Sequence, residues 1–193
     1  MSFYDIVLKN RSYRAFDERR PVTRKELEYL VSLARVTPSA VNRQPLKYFL
    51  SSDERTNARI LPLTAWAGLL KDVKLPPDGR RPAAYIVICV DQRIAKNADK
   101  DVGIAAQTML LGAADMGLGG CMIGAFDPAR IHAALELEEY LFPSLIIALG
   151  KPDERVEITD IQGGETAYYR DENGDHFVPK RTMDELIVNG GAK

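Results

Sequence analysis

The sequence predicts an α+β fold or a mixed-sheet α/β layer, in which helices and strands are joined by long connections. Two continuous apolar runs rich in β-branched residues, AYIVICV (84–90) and LIIAL (145–149), are typical of strands buried on both faces. The segment between them at 99–116 is apolar nearly all round and rich in Ala and Gly. Such a helix must be enclosed by protein, either in the core or at a subunit interface.

Size and composition fit one globular domain. The chain has 193 residues, of which 46% are hydrophobic and 27% charged, and its net charge is -1. This balance argues against a general nucleic-acid-binding protein, which carries a clear basic excess. The N-terminus has no apolar core of signal-peptide length, and polar residues and glycines interrupt the apolar segment 104–126. We therefore expect a single cytoplasmic domain over residues 1–193, without a membrane span.

The first part of the chain predicts two helices with a polar loop between them. Phe3–Lys9 has the apolar spacing of a short amphipathic helix, and residues 10–21 are loop-like. Thr23 followed by Glu26 is a capping-box pattern that opens the second helix. Pro38 ends that helix, because the residue before a proline disfavours the helical conformation.

The remaining elements are predicted from local signals. A strand is expected at 46–50, a helix at 56–70 with a break at Pro62, and a mobile loop at 75–82. Further elements follow: a strand at 119–123, a helix from Asp127-Pro128 to Leu135, the strand 145–149 ended by Gly150, a hairpin around Asn173-Gly174 and a helix at 182–188. The segment 155–193 should thus contain a hairpin and a closing helix.

Several common kinds of site are disfavoured. Cys89 and Cys121 lie in separate apolar runs and predict buried reduced thiols rather than a metal or redox pair. Gly117-Leu-Gly-Gly120 follows a helix and precedes a strand, the reverse of the order in a dinucleotide-binding loop. His132 and His176 have no convincing ligands in register, so no metal site is expected. No Gly-x-Ser-x-Gly elbow is present for a hydrolase.

Two cationic segments and one amide-rich loop remain. Arg11, Ser12 and Arg14 place two guanidinium groups and a hydroxyl within a short loop, which suits a phosphate. Lys180-Arg181 is a second cationic pair, although either pair seen alone is typical of solvated surface charge. The loop PSAVNRQP (38–45) holds two side-chain amides between prolines, and amides match a flat ring with alternating C=O and N–H edges.

Four collinear motifs resemble those of the FMN-dependent nitroreductases and their flavin-reductase and deiodinase-like relatives. RSYRAF (11–16) resembles the phosphate loop of that family and PSAVNRQP (38–45) resembles its flavin loop. GLGGCMIGAF (117–126) is similar to the segment along the reactive edge of the flavin, and LIIALGKPDE (145–154) to the closing strand. The resemblance covers nearly the whole chain. It implies a mixed, mainly antiparallel sheet flanked by helices in an intertwined homodimer.

The resemblance also implies roles for individual residues. The FMN phosphate and ribityl end would be held by Arg11, Ser12 and Arg14. Lys180 and Arg181 would approach the same phosphate, and either one could contact it. The ring would be lined by Pro38, Ser39, Ala40, Asn42 and Gln44. This loop would serve the flavin that is bound chiefly by the other subunit. Backbone N–H groups of Ile123 and Gly124 would face flavin N5 and O4. No catalytic side chain is implied, because the cofactor carries the chemistry.

The implied activity is hydride transfer from NAD(P)H to FMN and then to a small-molecule acceptor such as a nitroaromatic, a quinone or a free flavin. Two alternatives stay open at this point. One is another reaction of the same family, such as dehalogenation, flavin reduction or flavin fragmentation. The other is a non-enzymatic flavin-binding redox module. An RNA-phosphate-binding domain is disfavoured by the charge balance.

Overall fold

The computed structural model describes residues 2–70 and 72–188, which fall into two compact units. The first unit comprises the described residues up to 66 and residues 74–153. The second comprises the described residues of 67–73 and those from 154 onward. The single domain over residues 1–193 stays a prediction.

Several helices begin at capping signals that the sequence carries, although the helix Asp99–Asp115 starts after Ala98 without a side-chain cap. In the described residues they are α1 Phe3–Lys9, α2 Arg24–Arg35, α3 Glu54–Ile60, α4 Asp99–Asp115, α5 Pro128–Leu135 and α6 Met183–Leu186. Thr23 and Glu26 form the predicted capping box of α2, and the Asp127 side chain accepts from the first backbone N–H groups of α5. None of the described helices combines the length and apolarity needed to cross a membrane.

The first unit contains a five-stranded antiparallel sheet. Its strands are β1 Phe16–Asp17, β2 Leu46–Ser51, β3 Ala84–Asp91, β4 Gly119–Ile123 and β5 Leu141–Pro152. Strand β3 lies between β2 and β5, while β4 and β1 pair with successive parts of β5. The central position of β3 explains why all its residues are buried.

Alternating residues of β3 divide the unit into two hydrophobic cores. Ile86 and Ile88 pack with residues of α2 and α4, whereas Tyr85 and Val87 pack with residues of α3 and α5. Successive side chains of a strand point to opposite faces, so both faces of this sheet are covered by helices. The prediction of helices flanking a largely antiparallel sheet is therefore confirmed.

The second unit contains a smaller mixed sheet. Its strands are β6 Val156–Asp160, β7 Tyr169–Arg170 and β8 His176–Lys180. Strand β8 pairs with β6 in parallel and with β7 as the predicted hairpin around Asn173-Gly174. Arg170 reinforces the hairpin, because its guanidinium bonds the buried Glu154 carboxylate and donates to the Gly174 carbonyl oxygen over 2.9 Å.

Two predicted helices are shorter in the structure. The helix expected at 56–70 begins earlier, because Asp53 caps the Thr56 N–H over 2.8 Å, and Pro62 then starts a 3-10 turn. The prediction beyond that turn is wrong: Ala65 donates its N–H to the carbonyl of Ala125 over 2.8 Å, which draws the chain into an extended pairing. The closing helix is α6 alone, and residues 189–193 lie outside the described residues.

The strands of the structure differ from the prediction in three places. Gly150 does not end β5, which continues to Pro152 because Phe16 and Asp17 form an additional strand against it. A side chain at position 150 would lie 2.8 Å from the Phe16 ring, so glycine permits this close approach. Strands β1 and β6 were not predicted, since both are short and exist through pairing with distant residues.

Candidate functional site

The cationic loop that follows α1 is attached to strand β4. Ser12 forms a parallel bridge with Gly120, and the Tyr13 backbone N–H donates to the Gly120 carbonyl oxygen over 3.0 Å. The Tyr13 hydroxyl donates to the Lys9 carbonyl oxygen over 3.0 Å, which holds the ring against the end of α1. The loop is thus positioned by backbone hydrogen bonds and by its own aromatic side chain.

Both guanidinium groups of this loop donate to backbone carbonyl oxygens a few residues away. Arg11 donates to the Val7 carbonyl oxygen over 3.0 Å, and Arg14 donates to that of Ser12 over 3.1 Å. The Nε of Arg11 is buried, with no hydrogen-bond partner in the described part of the chain, and burial lowers the pKa of this side chain from its ordinary value. A desolvated cation of this kind is stabilised by an approaching anion.

The other end of β4 leads to an open backbone segment. Ile123 is buried, whereas Gly124 is exposed and a side chain there would meet nothing within 4 Å. Thr64 bridges to Phe126 just beyond this point. A strand rises about 3.3 Å per residue, so Gly120 and Gly124 lie roughly 13 Å apart along β4.

The amide-rich loop has an unusual backbone. Residues Ala40–Asn42 form a 3-10 turn, and Val41, Asn42 and Gln44 have φ angles of 53°, 52° and 52°. This left-handed region is uncommon for residues other than glycine, above all for a β-branched one. Gln44 Nε2 donates to Asn42 Oδ1 over 3.0 Å, so the two predicted amides are brought together. Both residues are exposed, as is Pro38.

Asp101 holds this loop from the first turn of α4. Its carboxylate accepts from the Ser39 hydroxyl and from the Ala40 N–H, the latter over 3.1 Å. Sequence reasoning missed this residue. A signal was present, since Asp101 stands four residues before Ala105 and eight before Met109, on the stripe that α4 buries.

Helix α4 also contacts the cationic loop. Gln107 Oε1 accepts from the Asn10 side-chain amide over 3.3 Å. Asp101 and Gln107 are six residues apart, about 9 Å along the helix axis. One rigid element therefore contacts both loops that the sequence singled out.

The other predicted groups are accounted for as follows. Lys180 ends β8, and Arg181 donates to the Glu185 carboxylate over 3.1 Å, so both belong to the second unit and their approach to a phosphate stays a prediction. Cys89 and Cys121 are buried free thiols, as predicted, and burial raises the pKa of Cys89 to about 12. In the described ranges, no three His, Cys, Asp or Glu side chains are grouped to hold a metal ion.

The sequence of this protein is similar to those of known nitroreductases and of an FMN reductase. Residues 7–151 match the model of the Nitroreductase family. An oxygen-insensitive NADPH nitroreductase of Helicobacter pylori is 26% identical over 180 residues, spanning 76% of this chain and 85% of that protein. An FMN reductase [NAD(P)H] of Bacillus subtilis is 24% identical, spanning 76% of this chain and 64% of that protein.

A solved structure shows the same fold. The crystal structure of a nitroreductase family protein from Clostridium difficile 630 superimposes with a TM-score of 0.69 at 20% sequence identity, covering 99% of each chain. The fold class predicted from the sequence is confirmed by this superposition. The family model spans three quarters of the chain and includes the cationic loop, the amide-rich loop and strand β4. This protein therefore belongs to the Nitroreductase family.

Proposed function

We propose that the protein is an FMN-dependent NAD(P)H oxidoreductase that reduces nitroaromatic, quinone or related small-molecule acceptors by a ping-pong sequence. It acts in the cytoplasm as a homodimer. The observation that carries the proposal is the pairing of Ser12 and Tyr13 with Gly120. This pairing puts a cationic loop at one end of β4, while the exposed Gly124 lies beyond the other end, which suits a ligand with an anionic end and a flat ring.

The donor set fits a flavin mononucleotide. Arg11 offers a buried Nε that lacks a partner in the described residues, and Ser12 is exposed and adds a hydroxyl. These groups, with Arg14, would hold the phosphate and the ribityl end, joined by Lys180 and Arg181. A monophosphate satisfies such a loop, and the chain has no dinucleotide fingerprint.

The ring would be oriented by backbone and amide groups. Ile123 and Gly124 would present N–H groups to N5 and O4. Pro38, Ser39, Ala40, Asn42 and Gln44 would line the ring, with the paired amides at its polar edge. Residues 123–126 carry Ile, Gly, Ala and Phe, so this segment positions the ring without an acid or base side chain.

When bound, FMN would supply the hydride-transfer chemistry between NAD(P)H and the second substrate. The protein's own contribution is to bind, orient and partly enclose that group. A side chain added at Gly124 would meet nothing within 4 Å, so the space beside this residue is open to a second molecule. Donor and acceptor would use this space in turn, which accounts for the ping-pong order.

A dimer is supported by the exposed surface of one chain. Helix α4 leaves Gly103, Ile104 and Gln107 exposed, and the neighbouring α1 exposes Phe3 and Tyr4 at 70% and 69%. Apolar surface of this kind is typical of a subunit interface. The exposed amide-rich loop would then serve the flavin of the second subunit.

The test is the absorption spectrum of the purified protein, before and after NADH or NADPH is added without oxygen. We expect a yellow protein that bleaches and regains colour with a nitroarene or quinone, and FMN in the heat-released fraction. Finding FAD, or no flavin after reconstitution, would contradict the cofactor. Bound FMN that neither pyridine nucleotide reduces would indicate a non-enzymatic redox module.

A further inference from the structure

The amide-rich loop is held in a conformation that its own residues disfavour. Val41, Asn42 and Gln44 all lie in the left-handed region, with φ angles between 52° and 53°. A backbone of this kind persists only where surrounding contacts over-determine it. The loop is exposed over most of its length, so packing against the core does not supply those contacts. Hydrogen bonds must do so.

The hydrogen bonds converge on one carboxylate. Asp101 accepts from the Ser39 hydroxyl and the Ala40 N–H, and the Ser39 hydroxyl oxygen in turn accepts from the Gln44 N–H over 2.9 Å. The carboxylate thus fixes the loop directly at one end and, through Ser39, at the other. Hydrogen bonds to an ionised group are stronger than neutral ones, which favours a charged residue in this position.

Asp101 lies in a buried position beside a small cavity. Asp101 is only 5% exposed and lies in the first turn of α4, where the helix dipole favours an anion. It shares a cavity of about 280 Å³ with Tyr48, whose pKa is raised to about 12, mainly by burial and further by the charge of Asp101. Arg35 and Lys47 line the same cavity.

The loop presents a defined hydrogen-bonding edge. Because Gln44 Nε2 donates to Asn42 Oδ1, the Asn42 amide retains its N–H groups as donors and Gln44 retains its carbonyl oxygen as an acceptor. A neighbouring donor and acceptor complement the alternating N–H and C=O groups of a pyrimidine-dione ring. Any loosening of the backbone at 39–44 would separate the two amides.

We propose that Asp101 is a positioning residue for the flavin: it clamps the loop through Ser39 and Ala40 so that Asn42 and Gln44 meet the polar edge of the ring. This inference rests on the proposed function. Asp101 contacts the loop rather than the ring, so it shapes binding and redox behaviour without taking part in hydride transfer.

The main variant is Asp101→Asn, which keeps the size of the side chain but removes its charge and one acceptor oxygen. Asp99→Asn is the matched control, because Asp99 lies in the same helical turn, is exposed and does not bond the loop. Ser39→Ala is a second test variant, since it removes the link to Gln44 and leaves Asp101 charged. Thermal unfolding of each variant shows whether it folds.

The first measurement needs no cofactor. Arg43 is exposed within the loop, so trypsin cleavage after Arg43 in FMN-free protein reports loop order. We expect Asp101→Asn and Ser39→Ala to accelerate this cleavage about tenfold, with other sites and Asp99→Asn unchanged. Equal cleavage in all four proteins would overturn the clamp, whatever the wild-type protein binds.

The second measurement uses added FMN. Asp101→Asn should bind it about tenfold more weakly, shift its visible absorption bands toward those of free FMN and move its midpoint potential away from the wild-type value. Asp99→Asn should match wild type in all three. Wild-type protein that binds no FMN would overturn the proposed function, whereas a faster-cleaved Asp101→Asn with wild-type affinity, spectrum and potential would overturn only the positioning role.

Discussion

The backbone N–H of Tyr13 donates to the carbonyl oxygen of Gly120 over 3.0 Å, and this bond joins the cationic loop to strand β4. The two residues are 107 positions apart in the sequence. Their pairing gives the cationic loop a fixed location relative to Ile123 and Gly124.

Arg14→Ala should weaken FMN binding by about 30- to 1000-fold, because a lost charge-assisted contact to phosphate costs about 2–4 kcal/mol. The variant should fold and dimerise, and NADH oxidation should recover at saturating FMN. Flavin fluorescence quenching measures the affinity. Arg19→Ala is the control, since Arg19 is 91% exposed and pairs with Asp17. Equal affinity of Arg14→Ala and wild type would show that the phosphate loop lies elsewhere.

Gly119→Ala should destabilise the protein by about 1–3 kcal/mol, the usual cost of overpacking. The added methyl group would lie 2.5 Å from the Tyr13 ring and 2.7 Å from the Pro152 side chain. Because Tyr13 belongs to the cationic loop, FMN affinity should also fall. Urea unfolding measures the free energy of unfolding. Gly68→Ala is the control, because a methyl group added at Gly68 would meet nothing within 4 Å. An unchanged free energy of unfolding would contradict the predicted overlap.

Ile104→Glu should convert the proposed dimer to a monomer that binds FMN poorly. Ile104 is 41% exposed on α4, and a carboxylate buried in an interface without a partner is strongly destabilising. Light scattering of both proteins gives the mass. Tyr29→Glu, at a residue of α2 that is 47% exposed, should leave the mass unchanged. A dimeric Ile104→Glu would place the interface on another surface.

Stability should decrease as the pH falls from about 4.5 to about 2, in part through Glu26. The hydrogen bond from Arg20 is the main cause that lowers the pKa of this carboxyl to about 2. Because the pKa of Glu26 is lower in the folded than in the unfolded protein, its ionised carboxylate stabilises the folded state at pH values above the unfolded pKa. This stabilisation is lost as the pH falls and the folded protein takes up the proton. Because Arg20 is 36% exposed, we expect only about 1–2 kcal/mol.

The check is urea unfolding at several pH values. Glu26→Gln should lose this contribution at neutral pH and show a flatter dependence on pH. Glu28→Gln is the control, since its ion pair with Arg24 is exposed and worth about 0.5 kcal/mol or less. A Glu26→Gln protein with the wild-type pH profile would show that the capping box does not depend on this charge.

Local signals determined most of the fold. The capping box at Thr23 and Glu26, the Asp127-Pro128 cap and the buried strands at 84–90 and 145–149 all appear where the sequence predicts them. A helix cap involves only a few neighbouring residues, and a continuous apolar run indicates burial of the whole segment. Both can therefore be recognised without knowing which distant residues pack against them. The order of the four motifs likewise sufficed to indicate the family.

The tertiary structure decided what depends on distant partners. Phe16 is a strand residue only because it pairs with Pro152. Residues 64–65 leave the helical path because they pair with residues 125–126. Asp101 contacts the amide-rich loop because its carboxylate accepts a hydrogen bond from Ser39, which is 62 positions away in the sequence. The sequence by itself determined which loops carry cations and amides. Only long-range pairing, which no local pattern encodes, decided which strand and which carboxylate hold those loops in place.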